Sequence, residues 1–252
     1  MEISNRTVVI VGGTSGIGLG LARRFAKAGS TVIVGGRHTA SASDLETVEI
    51  DVTDADSVRR ARDIVLSNHP DLDVLITMSG VMLIEDLRDR AHFAQTEQTI
   101  NVNLLGTIRV LDAFTPHLVE RGAGNIVTVT SGIGFLPFPL MPSYGASKAG
   151  VHAYTEALRA QLAGTGVDVT ELIPPAVATA GQEKINPAAL PLDGFLDEVL
   201  GLLSANPTPN EIVVAAAQRL RWAERDGTYA ALLEARSQSL ATLPGRQLDG
   251  RA

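Results

Sequence analysis

The chain has 252 residues, enough to bury one sizeable core with no second domain required. A formal net charge of −7 without a basic stripe excludes a nucleic acid or an anionic membrane surface as partner. The absence of cysteine excludes disulfides, zinc thiolates and a thiol nucleophile. The apolar runs fall short of the ~20 residues of a membrane span. The start Met1-Glu2-Ile3-Ser4-Asn5-Arg6 lacks the apolar centre of a signal peptide, so a cytoplasmic location is expected.

The first element is a strand-like run at 8–11, followed by Gly12-Gly13-Thr14-Ser15-Gly16-Ile17-Gly18 and a helical pattern over 19–28. Strand, glycine loop and helix in that order suit a pyrophosphate. Glycines let the backbone come close, and the free N–H groups at the positive end of the helix stabilise the charge. Further strand-like runs follow at 31–34, 48–50, 74–77, 125–130 and 167–172, with 211–214 a seventh candidate after a helical stretch at 192–203. Between Arg37 and Val48 the chain is too short and serine-rich for a full crossover helix, so a turn or loop is expected there. This alternation predicts an α/β fold: a Rossmann-type doubly wound parallel sheet of six or seven strands with helices on both faces. Residues 1–252 are read as one dinucleotide-binding domain, with a substrate loop at about 176–205 and a poorly ordered tail over 243–252.

The run at 125–130 ends in Ser131-Gly132, a buried strand opening into a site. Tyr144 and Lys148 follow, four apart, and on a helix they share a face. A neighbouring ammonium would lower the phenol's pKa from ~10 and make Tyr144 a usable acid. Hydroxyl, phenol and ammonium then converge on one carbonyl. Ser131 lacks the Gly-x-Ser-x-Gly form of a hydrolase nucleophile. The end of the second strand, Val34-Gly35-Gly36-Arg37, has glycine where a carboxylate would accept the ribose hydroxyls of NAD. The adjacent guanidinium suits a 2′-phosphate, which favours NADP(H) and leaves NAD(H) open.

Taken together, these segments resemble the short-chain dehydrogenase/reductase family of the compact single-domain type. The matching features, in order, are Gly12-x-x-x-Gly16-x-Gly18, Asp51-Val52, Asn103 with Gly106, Ser131, Tyr144-x-x-x-Lys148 and Pro174-Pro175-x-Val177-x-Thr179. The paired prolines, with the late Glu211-Ile212-Val213-Val214 and Leu220-Arg221-Trp222-Ala223-Glu224-Arg225, look closest to the DltE-like branch. The resemblance implies hydride transfer between nicotinamide and a carbonyl or secondary alcohol, with Tyr144 as acid and base and Ser131 hydrogen-bonding the substrate oxygen. It further implies that Lys148 contacts the nicotinamide ribose, that Asn103 holds a water feeding protons to the site, and that Thr179 meets the carboxamide end of the cofactor. Gly12, Thr14, Ser15, Gly16, Ile17, Gly18, Arg37, Asp51, Val52, Ser79, Gly80, Pro174 and Val177 complete the implied cofactor site. Family members pair through the helices carrying Asn103 and Tyr144, so a homodimer or homotetramer is implied.

Two departures stand out. Val11 replaces a threonine before the first glycine, and Thr77-Met78-Ser79-Gly80 replaces Asn-Asn-Ala-Gly, losing an amide that ties the sheet centre together. The second departure is the only support for an alternative reading, a catalytically lapsed dinucleotide-binding or regulatory protein. An epimerase of the longer branch is disfavoured by the short chain. His38, His69, His92, His117 and His152 show no metal-ligand spacing and no carboxylate arrangement, so no metal is expected. The apolar stretch at 133–142, with Met82 and Leu83, points to a hydrophobic small-molecule substrate.

Overall fold

A computed structural model describes residues 1–179 and 189–246. Strands β1 (Thr7–Val11), β2 (Thr31–Gly36), β3 (Glu46–Glu49), β4 (Val74–Thr77), β5 (Gly124–Val129) and β6 (Val167–Ile173) belong to one parallel sheet. It is completed by Glu211–Val213, numbered β9 because the short pair β7 (Val177–Ala178) and β8 (Leu190–Pro191) precedes it. The order is β3-β2-β1-β4-β5-β6-β9, as expected for a seven-stranded doubly wound sheet.

Apolar side chains on both faces of β1 explain why its sequence reads as an unbroken apolar run rather than an alternating one. Val8 and Ile10 pack with Phe25 of α1 (Gly16–Lys27) and with Phe195 and Leu196 of α6 (Leu192–Leu203). Val9 and Val11 pack on the other face with Val58 of α2 (Ala55–Asn68) and with Val110 and Phe114 of α4 (Gly106–Arg121). The crossover from β2 to β3 is cut to a single 3₁₀ turn, Ala40–Ala42. Helix α3 (Phe93–Ile100) runs into α4 through a π-helical turn, Asn101–Leu105. Helix α5 (Pro142–Gln161) carries Tyr144 and Lys148, and α7 (Ala215–Arg221) and α8 (Tyr229–Ser237) close the fold.

The span read as a substrate loop contains the helix expected at 192–203 and a short strand pair. Val177 pairs with Leu190, and α6 is packed into the core through Phe195, Leu196, Val199 and Leu203. Residues 180–188 of that span lie outside the described residues, as do 247–252 of the tail. Leu243, the first residue of the tail, is buried in a cluster with Leu140, Met141 and Tyr144. No helix is long and apolar enough to cross a membrane among the described residues.

Candidate active site

The strand order reverses between β1 and β4, and there the loops leaving the two strands diverge and open a crevice. One side of the crevice is the glycine loop. Gly12 N–H donates to Gly35 O at 2.8 Å, tying the loop to β2. Gly12 has φ +91°, and a Cβ there would fall 2.4 Å from Ser79 N, so only glycine lets the loops after β1 and β4 touch. A Cβ on Gly18 would meet Gly12 O at 2.3 Å, so the loop also closes on itself. Ser15 precedes α1 in an extended conformation and makes no capping hydrogen bond, and the first turn carries no acidic residue. The start of α1 therefore lines the crevice with no side-chain cap on its leading N–H groups among the described residues.

This first chamber, about 330 Å³, is lined by Gly12, Thr14, Ser15, Gly16, Ile17 and Gly18. It also meets Arg37, Asp51, Val52, Ser79, Gly80 and Thr179, all expected from the sequence, and Thr53, Val81 and Gln98, which were not. Arg37 is exposed at the end of β2. The Asp51 carboxyl is held below its usual range, chiefly by hydrogen bonds from Thr53 Oγ1 and Thr53 N–H, with a smaller contribution from the charge of Arg37. Val52 sits where α4 comes close: a Cβ on Gly106 would lie 2.7 Å from Val52 Cγ2, and Arg109 Nη1 donates to Val52 O at 3.1 Å.

Ile17, Met78, Gly80 and Thr179 border both this chamber and a second one of about 470 Å³. The second chamber brings together Ser131, Tyr144 and Lys148, with Pro174 and Val177 on its wall. Its apolar surface comes from Met82, Ile133, Phe138, Met141 and Leu220, in line with the apolar walls expected. Lys148 is buried, its Nζ 5.8 Å from the Tyr144 ring centroid and donating to Val129 O at 2.8 Å.

The electrostatics differ from the sequence expectation. Burial pushes the Tyr144 phenol up to about 12, opposed only in part by hydrogen bonding with Ser131, and pushes Lys148 down to about 8. The ammonium does not lower the phenol: desolvation disfavours the charged form of each group, and Ser131 alone works against it at Tyr144. Tyr144 is thus held in its protonated form.

Asn103 is fully buried within the π turn. Its Nδ2 donates to Val81 O (2.9 Å) and Ser147 Oγ (3.2 Å), and its Oδ1 accepts from Val81 N–H at 2.8 Å. Both amide hydrogens are committed, so the side chain clamps the loop after β4 to α5. This clamp, with the Met78 N–H to Val11 O bond at 2.7 Å, holds the region where the expected asparagine pair is missing. Thr77 Oγ1, in that segment, is buried with no hydrogen-bond partner among the described residues.

Three tertiary features escaped sequence reasoning. Glu85 is buried and holds the start of α5: its Oε1 accepts from Ser143 N–H at 3.0 Å and its Oε2 from Ser143 Oγ at 2.8 Å. Arg236, from α8, lines the second chamber. The third corrects the reading of the histidines as lacking carboxylates. His152 Nδ1 lies 2.7 Å from Glu171 Oε2, and His69 Nε2 lies 2.9 Å from Glu46 Oε1. Those partners are 19 and 23 residues away in the chain, beyond any local pattern. His152, Glu171 and Glu211 could ring a cation, but Arg221 already takes both oxygens of Glu211 at 2.8 Å and Thr130 Oγ1 donates to Glu171 Oε1 at 2.5 Å.

These features define the class first: a Rossmann-type α/β protein whose crevice at the switch point continues into a chamber bearing a hydroxyl, a phenol and an amine. The short chain dehydrogenase family model matches residues 6–190, and the chain belongs to the short-chain dehydrogenase/reductase family of oxidoreductases. It is 34% identical over 193 residues to the uncharacterized oxidoreductase DltE of Bacillus subtilis, covering 73% of this chain and 76% of that one. It is 35% identical over 178 residues to sulfoacetaldehyde reductase 2 of Chromohalobacter salexigens, covering 66% and 71% of the two chains. The crystal structure of a short chain dehydrogenase from Burkholderia cenocepacia in complex with NADP superposes with a TM-score of 0.80 at 28% identity, over 96% of this chain and all of that one.

Proposed function

We propose that the chain is an NADP(H)-dependent oxidoreductase that reduces a carbonyl compound or oxidises the corresponding secondary alcohol. The observation that carries this reading is the joining of two chambers through Ile17, Met78, Gly80 and Thr179, one walled by the glycine loop and the other by Ser131, Tyr144 and Lys148. The residues fit a dinucleotide: loop glycines that a Cβ would displace, uncapped N–H groups at the start of α1, and an exposed guanidinium, Arg37, at the ribose end. The cofactor, when bound, supplies or takes up hydride.

Within that frame Ser131 hydrogen-bonds the substrate oxygen, a contact worth most when negative charge builds there. Tyr144 donates its proton to that oxygen during reduction and takes it back during oxidation. Lys148, anchored on Val129 O, would hold the nicotinamide ribose of the bound cofactor beside Tyr144. Asn103 fixes the loop after β4 against α5 and so sets the distance between the two chambers. The named reductase relative and the NADP complex of a neighbour point the same way. A homo-oligomer built on the faces of α4 and α5 and a cytoplasmic location belong to the same proposal.

The test is fluorescence titration of NADPH and NADH into wild type and Arg37→Ala. NADPH should bind about tenfold or more tighter than NADH, a difference of about 1.4 kcal/mol, and Arg37→Ala should remove most of it. Equal loss of both cofactors, or no binding of either, would contradict the assignment.

A further inference from the structure

Arg236 stands in the second chamber, which is otherwise apolar on most of its wall. It arrives from α8, about a hundred residues after the strand end that carries Ser131, and reaches back to the loop following that serine. Only one of its nitrogens is engaged: Nη1 donates to Leu136 O at 2.9 Å and more weakly to Pro137 O at 3.4 Å. The guanidinium lies 5.6 Å from the Phe138 ring centroid. Nε and Nη2 have no hydrogen-bond partner, and no carboxylate pairs with the group, among the described residues. The neighbouring arginines are spent differently: Arg221 forks onto Glu211, and Arg225 pairs with Asp226.

A half-buried cation of this kind is costly. Desolvation works against its charge, and the positive charge of Arg219 adds to the penalty. Arginine cannot escape by losing its proton, so the charge stays and calls for a counter-ion. The planar fork left open by Nε and Nη2 matches the two oxygens of a carboxylate or sulfonate.

We propose that Arg236 recognises an anionic group on the substrate, so that the enzyme acts on carbonyl compounds with an apolar body and a terminal carboxylate or sulfonate. This rests on the oxidoreductase reading above and sharpens its substrate class. The anion binds at the α8 side of the chamber while the carbonyl oxygen reaches Ser131 and Tyr144. Bidentate anchoring at one end then orients the reacting end.

The experiment measures NADPH-dependent reduction of aldehydes and ketones in pairs matched for length, one member ending in carboxylate or sulfonate and the other in a methyl ester or methyl group. The ratio of kcat/KM, anionic over uncharged, should exceed ten in wild type and fall at least tenfold in Arg236→Met. In Arg236→Lys, which keeps the charge without the fork, the ratio should lie between. A ratio near one in wild type, or one unchanged in Arg236→Met because both members fall together, would overturn the proposal and leave the oxidoreductase reading standing. If no carbonyl is reduced, that reading fails, and the shift in Tm given by the anionic acids to the NADPH-mixed protein still decides the role of Arg236. A shift present in wild type and absent in Arg236→Met sustains anion recognition, and equal or absent shifts overturn it.

Discussion

Spacing alone put Tyr144 and Lys148 on one helix face, and the glycine loop and Ser131 upstream made the pair a candidate site. What spacing could not give is the medium between them. Desolvation places the phenol near 12 and the ammonium near 8, and both values enter stability. Below pH 8 Lys148 is charged in folded and unfolded chains alike, and the full cost of burying the charge is present. From about 8 towards 10.5 the folded chain binds fewer protons than the unfolded one, so stability rises with pH. Above 10 the unfolded tyrosine ionises while the folded one does not, and that gain is reversed. Urea unfolding at pH 8 and pH 9 should therefore show wild type gaining about 1 kcal/mol relative to Lys148→Met. Parallel behaviour of the two proteins would mean that Lys148 is not desolvated. Arg236, Glu85 and the pairing of His152 with Glu171 left no trace in local sequence, because each acts on a segment far along the chain.

At the scale of elements, the sequence foretold the strands to within a residue or two, since buried parallel strands are short β-branched runs set off by turns. β3 is the visible miss: its Val48 alone is buried among exposed neighbours, so apolarity pointed to 48–50 where pairing with β2 fixes Glu46–Glu49. The π turn at Asn101–Leu105 was hidden too, because nothing in its composition distinguishes it from the helices on either side. The glycine loop was legible as glycines, and the structure supplies the reason for Gly12 and Gly18. Gly18→Ala is the sharpest probe, since its Cβ would press on Gly12 O and Gly13 Cα, backbone atoms that cannot rotate away. The substitution should cost about 1–3 kcal/mol, lower Tm and weaken NADPH binding. Thermal melts with an unchanged Tm would show that the loop has room the structure denies it.

For the whole molecule, the alternation of runs implied a doubly wound sheet, and the order β3-β2-β1-β4-β5-β6-β9 puts the crevice at the β1/β4 switch point. A chain of net charge −7 nevertheless sets arginines at both ends of that crevice, Arg37 in the first chamber and Arg236 in the second. Helix α8, which delivers Arg236, lies beyond the span matched by the family model and beyond Arg225, the last residue the motifs reached. The central claim is that these chambers form one redox site with Tyr144 as its proton donor. Its most direct test is NADPH oxidation by the carbonyl panel in wild type and Tyr144→Phe, with NADPH binding measured in both. The account predicts that Tyr144→Phe still binds NADPH while kcat/KM falls by on the order of 10²–10⁴-fold. Activity within a few-fold of wild type would contradict it.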